Sequence, residues 1–247
     1  MLEVRGLVKR FGGLLATDSL DLSVGHGEVH ALIGPNGAGK TTLISQLAGE
    51  LKPDAGTVWF DGHDITAFAV HERALAGMAR SYQITQVVAE FTALENVMLA
   101  VQPHAGHSFR FWRPARTFAS LTGPAHDALE QVGLAPRSEI LAGEMAHGEH
   151  RQLELAMALA GRPKLLLLDE PLAGMSQREC EEMIVLLAGL KRRYSMLLVE
   201  HDMDAVFALA DRITVLVYGR AIACGAPEAI RASDEVRAAY LGDTEIA

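Results

Sequence analysis

The stretch GPNGAGKTT, residues 34–42, constrains this chain more than any other. It follows the apolar run VHALI (29–33) and precedes the helical pattern KTTLISQLAG, so a buried strand must pass through a glycine-rich turn directly into a helix. Gly34, Gly37 and Gly39 allow the backbone to aim its N–H groups inward, and the helix N-terminus adds partial positive charge. The loop formed by Gly34, Pro35, Asn36, Gly37, Ala38 and Gly39 therefore predicts a cradle for phosphate oxygens. In that cradle Lys40 reaches the β- and γ-phosphates of a nucleotide, Thr41 offers its hydroxyl to Mg²⁺, and Thr42 lies against the α-phosphate.

A second stretch, LLLLDEP (165–171), supplies the complementary chemistry. Asp169 ends an apolar strand, where an unpaired carboxylate costs several kcal/mol, so a cation or a hydrogen-bond partner must lie near it; Mg²⁺ shared with Thr41 is the economical answer. Glu170 follows at once and is placed to polarise an attacking water. The runs KLLLLD (164–169) and MLLVE (196–200), like VHALI, read as parallel strands covered on both faces. Ligands of open α/β sheets gather at the carboxyl ends of such strands, so three site loops converge. By contrast ATDSLDLSV (16–24) alternates apolar and polar residues, as a half-exposed antiparallel strand does.

Between about residue 84 and residue 160 helical signals take over. Thr92 and Glu95 form a capping box before NVMLAV, and AHDALEQVGL (125–134) reads as a short helix closed at Gly133. Within this region HSFRFWRPARTF (107–118) reads as a solvated loop with its aromatic side chains turned inward, a membrane-surface or partner contact being the alternative. Cys180 and Cys224 have no metal spacing and read as buried spectators. No apolar run approaches the roughly 20 residues of a membrane helix, and the N-terminus lacks a signal peptide's apolar centre. The net charge of −9 argues against a nucleic-acid partner.

With the phosphate loop, LLLLDEP, Gln83 in RSYQ and His201 in LLVEHD in this order, the chain resembles the ATP-binding cassette (ABC) ATPases over nearly all of its length. The resemblance implies one cassette over residues 1–247: an α/β P-loop NTPase (RecA-like) core, 1–84 and 161–247, with an antiparallel β subdomain and an inserted α-helical subdomain, 85–160. It implies ATP and Mg²⁺ as ligands, His201 on the γ-phosphate, and Gln83 sensing Mg²⁺ and the lytic water. Phe11 in KRFGG matches the aromatic that stacks on adenine in such proteins.

MAHGE (145–149) occupies the place of the family's signature, usually Leu-Ser-Gly-Gly-Gln, which binds the γ-phosphate held by the opposite subunit. Only Gly148 agrees with it. Ala146 lacks the serine hydroxyl, His147 offers a ring nitrogen, and Glu149 opens the helix EHRQLELAMALAG, whose N-terminal amides remain. In AGMS (173–176), Ser176 stands where Asp is common; with Glu179 it also forms a capping box. This signature, DEPLAGM and the ending EVRAAYLGD resemble the importers of branched-chain amino acids and the related urea and amide importers. Lipopolysaccharide-export ATPases and non-transport regulatory cassettes are the alternatives. The implied partners are permease subunits, a second ATPase subunit, more often a similar separate chain than a copy, and indirectly a periplasmic binding protein. The implied place is the cytoplasmic face of the inner membrane.

Overall fold

The computed structural model describes residues 1–81, 87–106 and 112–241, with side chains described as far as residue 238. Gln83, together with Phe109, Arg110 and Phe111, lies outside the described residues.

The first sheet is antiparallel. Its strands β1 (Leu2–Phe11), β2 (Leu14–Val24), β4 (Ala55–Phe60) and β5 (His63–Asp64) run in the order β2-β1-β4-β5. Leu20, Leu22 and Val24 of β2 are buried at alternate positions, as the sequence alternation requires. In β1 the alternation breaks after Val4: Gly6 takes a left-handed conformation (φ 56°), the register with β2 shifts, and Leu7 returns to the buried face.

The second sheet has the order β10-β9-β3-β8-β7-β6. Strands β3 (Val29–Ile33), β6 (Met78–Arg80), β7 (Leu165–Asp169), β8 (Ser195–Val199) and β9 (Arg212–Val217) pair in parallel, and β10 (Arg220–Gly225) closes one edge antiparallel. Because strand side chains alternate between faces, strands apolar throughout need cover on both. Leu165, Leu167, Leu197 and Val199 face a core shared with Leu43, Ile44 and Leu47 of α1 (Lys40–Ala48) and with the first sheet. Leu166, Leu168, Met196 and Leu198 face the other way, toward Met183 and Leu187 of α6 (Gln177–Leu190) and Leu209 of α7 (Met203–Leu209). Each such leucine contributes about 1.5–3 kcal/mol. Helix α2 (Val70–Ala76) precedes β6, and the C-terminal helices α8 (Pro227–Ala232) and α9 (Asp234–Leu241) set Ile230 and Val236 against β3 and β9.

Helices α3 (Ala93–Val101), α4 (Ala119–Gln131) and α5 (His147–Ala160) pack on one another through Val97, Leu129 and Leu153. The Thr92 and Glu95 box caps α3, with the Thr92 N–H donating to Glu95 Oε2 at 2.9 Å and the Glu95 N–H donating to Thr92 Oγ1 at 3.2 Å. Helix α4 begins earlier than its sequence pattern predicts and runs through Pro124; burial of Leu121 and Ala125 on either side offsets the lost hydrogen bond.

Two expectations fail at the surface. Cys224 is exposed on the edge strand β10, and Cys180 is half-buried. Trp112 is 85% exposed rather than turned inward. Phe118, by contrast, packs half-buried against the core, and Arg116 adds ion pairs to Glu95 and Glu139 that tie the segment down. Among the described residues no helix is long and apolar enough to cross a membrane.

Candidate functional site

The phosphate loop is wedged between two strands. A Cβ on Gly34 (φ 153°) would lie 2.0 Å from the Leu216 carbonyl oxygen, and one on Gly39 (φ 102°) would lie 2.2 Å from the Ala16 carbonyl oxygen. Both obstacles are backbone, so neither can yield to a side chain. Gly37 (φ 78°) has open space around it and needs glycine for its conformation alone. The Gly219 N–H donates to the Ala38 oxygen at 2.9 Å, tying the loop to the β9–β10 turn. Ala38 is buried, Asn36 and Gly37 are exposed at the crest, and Pro35 is half-buried.

Lys40 opens α1 and donates from Nζ to the oxygens of Gly34 (2.6 Å) and Pro35 (2.9 Å). Burial holds this ammonium below its usual pKa, and the charges of Glu170 and Asp169 act against that shift. A cation so placed gains from any anion that enters the loop. Thr41 is exposed and Thr42 half-buried.

Asp169, at the end of β7, is 2% exposed. Its Oδ2 accepts from Arg80 Nη2 at 3.0 Å, whereas its buried Oδ1 has no hydrogen-bond partner among the described residues. Burial pushes this carboxyl up, with Arg80 opposing. A buried, unsatisfied carboxylate oxygen beside a threonine-bearing phosphate loop is a donor set of hard oxygens, which suits Mg²⁺. The chain reverses at once: Glu170 adopts a left-handed backbone (φ 51°), which costs about 1–2 kcal/mol for a residue with a side chain, and its N–H donates to the Val199 oxygen at 2.9 Å. One carboxylate is thereby buried and its neighbour left accessible.

Two residues that sequence reasoning missed complete the arrangement. Arg80, on β6, bridges Asp169, Glu50 and the Ser45 hydroxyl (3.2 Å), joining strand β7 to α1. Glu200, 1% exposed, lies just past β8. Its Oε1 accepts from the Leu172 N–H (2.9 Å) and its Oε2 from the His201 N–H (3.1 Å), so one carboxylate joins the turn after Glu170 to the loop carrying His201. The signal for both was a charge set among buried apolar residues, in MARS and LLVE. His201 itself is exposed, with Nδ1 3.8 Å from Glu200 Oε2.

Burial raises the Glu200 carboxyl, and the N–H groups of Leu172, His201 and Asp202 counter it. A carboxyl raised above its unfolded value of about 4.3 stabilises the fold most below that value, and the contribution is lost as pH rises through the folded one. Glu200→Gln does not titrate, and its single oxygen leaves an N–H unsatisfied, at about 1–3 kcal/mol. Denaturant unfolding is therefore expected to show a larger advantage of the native chain over the variant at about pH 5 than at about pH 8. A gap independent of pH would show that burial does not perturb Glu200.

The remaining predicted residues are dispersed. Phe11, 49% exposed, ends β1 opposite Leu14, on the hairpin whose second strand meets Gly39. Lys9 Nζ lies 5.9 Å from its ring centroid. Ala146 caps α5 with backbone only, since it has no acceptor, and its N–H donates to Glu149 Oε2 at 2.9 Å. Glu149 also pairs with Arg137 at 2.9 Å. A Cβ on Gly174 would stand 3.2 Å from His147 Nε2, and the Gly148 N–H donates to Glu179. The polar contacts of residues 146–149 thus run to Glu179 and Arg137, while Lys40, Asp169, Glu170, Glu200 and His201 gather at the ends of β3, β7 and β8.

Known proteins resemble this chain in sequence and in fold. The family model described as ABC transporter matches residues 17–173, and the one described as branched-chain amino acid ATP-binding cassette transporter matches residues 222–246. The chain is 39% identical to the high-affinity branched-chain amino acid transport ATP-binding protein BraF of Pseudomonas aeruginosa, over 98% of each protein. It is 36% identical to LivG of Escherichia coli K12, a protein of the same description, again over 98% of each. The crystal structure of the ADP conformation of MJ1267, an ATP-binding cassette of an ABC transporter, superimposes with a TM-score of 0.87 at 30% identity over 98% of each chain. A nucleotide-free cassette from an ABC transporter gives a TM-score of 0.86 at 30% identity, covering 97% of this chain and 98% of that one. Matched by the family's model across the phosphate loop and the Asp169 strand, and by full-length relatives at more than a third identity, the chain belongs to the ABC transporter family as an ATP-binding cassette.

Proposed function

We propose that this cassette is the ATP-hydrolysing subunit of an importer for branched-chain or other hydrophobic amino acids, peripheral to the cytoplasmic face of the membrane. The observation that carries the reading is the meeting of Lys40, Asp169 and Glu170 at the ends of β3 and β7, in a chain whose relatives are named as transport ATP-binding proteins for such amino acids. The triphosphate lies in the loop from Gly34 to Gly39, with Lys40 on the β- and γ-phosphates, Thr42 at the α-phosphate and adenine against Phe11. Thr41, Asp169 and Gln83 would hold Mg²⁺, which when bound would supply positive charge to the phosphates; the Oδ1 of Asp169, without a hydrogen-bond partner among the described residues, supports that assignment. Glu170 takes the proton of the attacking water, and His201 holds the γ-phosphate. Ala146, His147, Gly148 and Glu149 of a second ATPase subunit complete the site.

A cavity of about 250 Å³ supports the permease as partner. It is lined by Val70, Arg73, Met78, Ser81, His104 and Met157, between α2 and β6 on one side and α5 on the other, and Ser81 adjoins the segment bearing Gln83. An apolar helix end with one polar anchor fits such a cleft, and its movement would be felt at Gln83. When residues 85–160 rotate on closure, the wall bearing His104 and Met157 moves against the wall bearing Val70 and Met78.

Reconstitution tests the function. The chain, its permease subunits and its partner ATPase are placed in vesicles, and phosphate release is followed with binding protein loaded with leucine or with urea. Leucine-loaded protein is expected to stimulate release. Stimulation by the urea-loaded protein alone would overturn the amino-acid assignment.

A further inference from the structure

Glu179, in the first turn of α6, places its carboxylate on the N-terminus of a different helix. Its Oε1 accepts from the Gly148 N–H of α5 at 3.1 Å, while its Oε2 accepts from the Ser176 N–H at 2.8 Å and the Ser176 hydroxyl at 2.6 Å. A Cβ on Gly148 would stand 2.6 Å from Oε1, so any side chain at this position would push the Glu179 carboxylate aside. The two Ser176 bonds, and after them the Gly148 N–H and His147, hold the carboxyl below its ordinary range, so it is ionised at neutral pH. A charged group of this chain thus lies on the amide proposed above to receive the partner nucleotide's γ-phosphate.

One N–H does not serve two anions. A phosphate oxygen arriving at Gly148 would meet the carboxylate at hydrogen-bond range, where like charges repel. We infer that Glu179 is a resident anion on the signature helix, displaced when the γ-phosphate of the partner's ATP takes the Gly148 amide, and that it sets how much ATP is needed to close the dimer. The inference rests on the trans-site reading of Gly148. Its displacement also frees Ser176, so arrival of a phosphate at α5 is passed to the loop 173–176. Glu179 acts through Gly148 and is a positioning residue, not a catalytic one.

Glu179→Gln keeps the shape and one acceptor but removes the charge. The test measures the ATP concentration for half-maximal dimer formation with the partner ATPase, in a Glu170→Gln background, by light scattering. Removing a carboxylate from a helix N-terminus lowers folding stability slightly, so the melting temperature is expected to fall. The ATP concentration is nevertheless expected to fall about tenfold, which a merely structural role would not produce, and binding of ADP to the single chain is expected to stay unchanged. An unchanged or raised ATP requirement would overturn the role of Glu179. Gly148→Ala separates that failure from failure of the underlying reading. Loss of the dimer in Gly148→Ala with no gain in Glu179→Gln leaves the trans site standing and removes only the resident anion. Undiminished dimer formation in Gly148→Ala removes the trans-site reading and the inference with it.

Discussion

Replacement of Glu170 by Gln is expected to slow phosphate release about 10²–10⁴-fold while leaving ATP binding intact. The reasoning begins in the backbone. The left-handed turn at Glu170 leaves its carboxylate accessible, whereas Asp169, one residue earlier, is buried against Arg80. Gln fits the same space and the same turn, so the phosphate loop, Lys40 and Asp169 keep their positions. What is lost is the ability to accept a proton from water. ATP then stays whole between the subunits, and the closed dimer accumulates instead of resetting. Phosphate release by single-turnover assay and dimer by size exclusion measure the two halves of this expectation. Unaltered turnover would show that another group takes the proton.

Arg80→Ala is expected to cost about 3–5 kcal/mol of folding stability, the range for removing one partner of a buried ion pair. The pair is well enough buried for that range to apply: the Arg80 side chain is 10% exposed and that of Asp169 is 1% exposed. Among the described residues Asp169 has one oxygen without a hydrogen-bond partner, and loss of Arg80 removes the partner of the other. The guanidinium also holds Glu50 and Ser45, so the C-terminal part of α1 loosens from β7. A double variant, Arg80→Ala with Asp169→Asn, removes the stranded charge and is expected to regain part of the loss in denaturant unfolding. Equal losses in the single and double variants would mean that the pair contributes only as packing. ATPase activity is expected to fall in both, because each disturbs the carboxylate proposed to hold Mg²⁺.

The strands that position the chemistry were legible because they are apolar at every position, a pattern that only a strand covered on both faces explains. The phosphate loop was legible for a related reason. Gly34 and Gly39 sit where a backbone carbonyl excludes any side chain, so the glycines are forced by sterics that their spacing records. Strand β6, three residues long, is too short to show a period, and with it Arg80 went unread. Strand β1 hides its period behind the bulge at Gly6. Glu200 looked like a polar strand end, because its value lies in the backbone N–H groups of Leu172 and His201, far apart in sequence, that only the fold brings together. The helix that follows Ala146 was legible, but not the bonding at its start: that the Gly148 amide would find a carboxylate of its own chain depends on the approach of α6 to α5.

The central claim is that a triphosphate bound by the loop ending at Lys40 is completed by the helix starting beside Gly148 of a second subunit. A structure of the ATP-bound Glu170→Gln dimer tests it most directly. The expected result is the Gly148 amide nitrogen about 3 Å from an oxygen of the opposite subunit's γ-phosphate, with the Glu179 carboxylate moved away from that amide. A closed dimer in which Gly148 still bonds Glu179, with no phosphate within reach of α5, would contradict it.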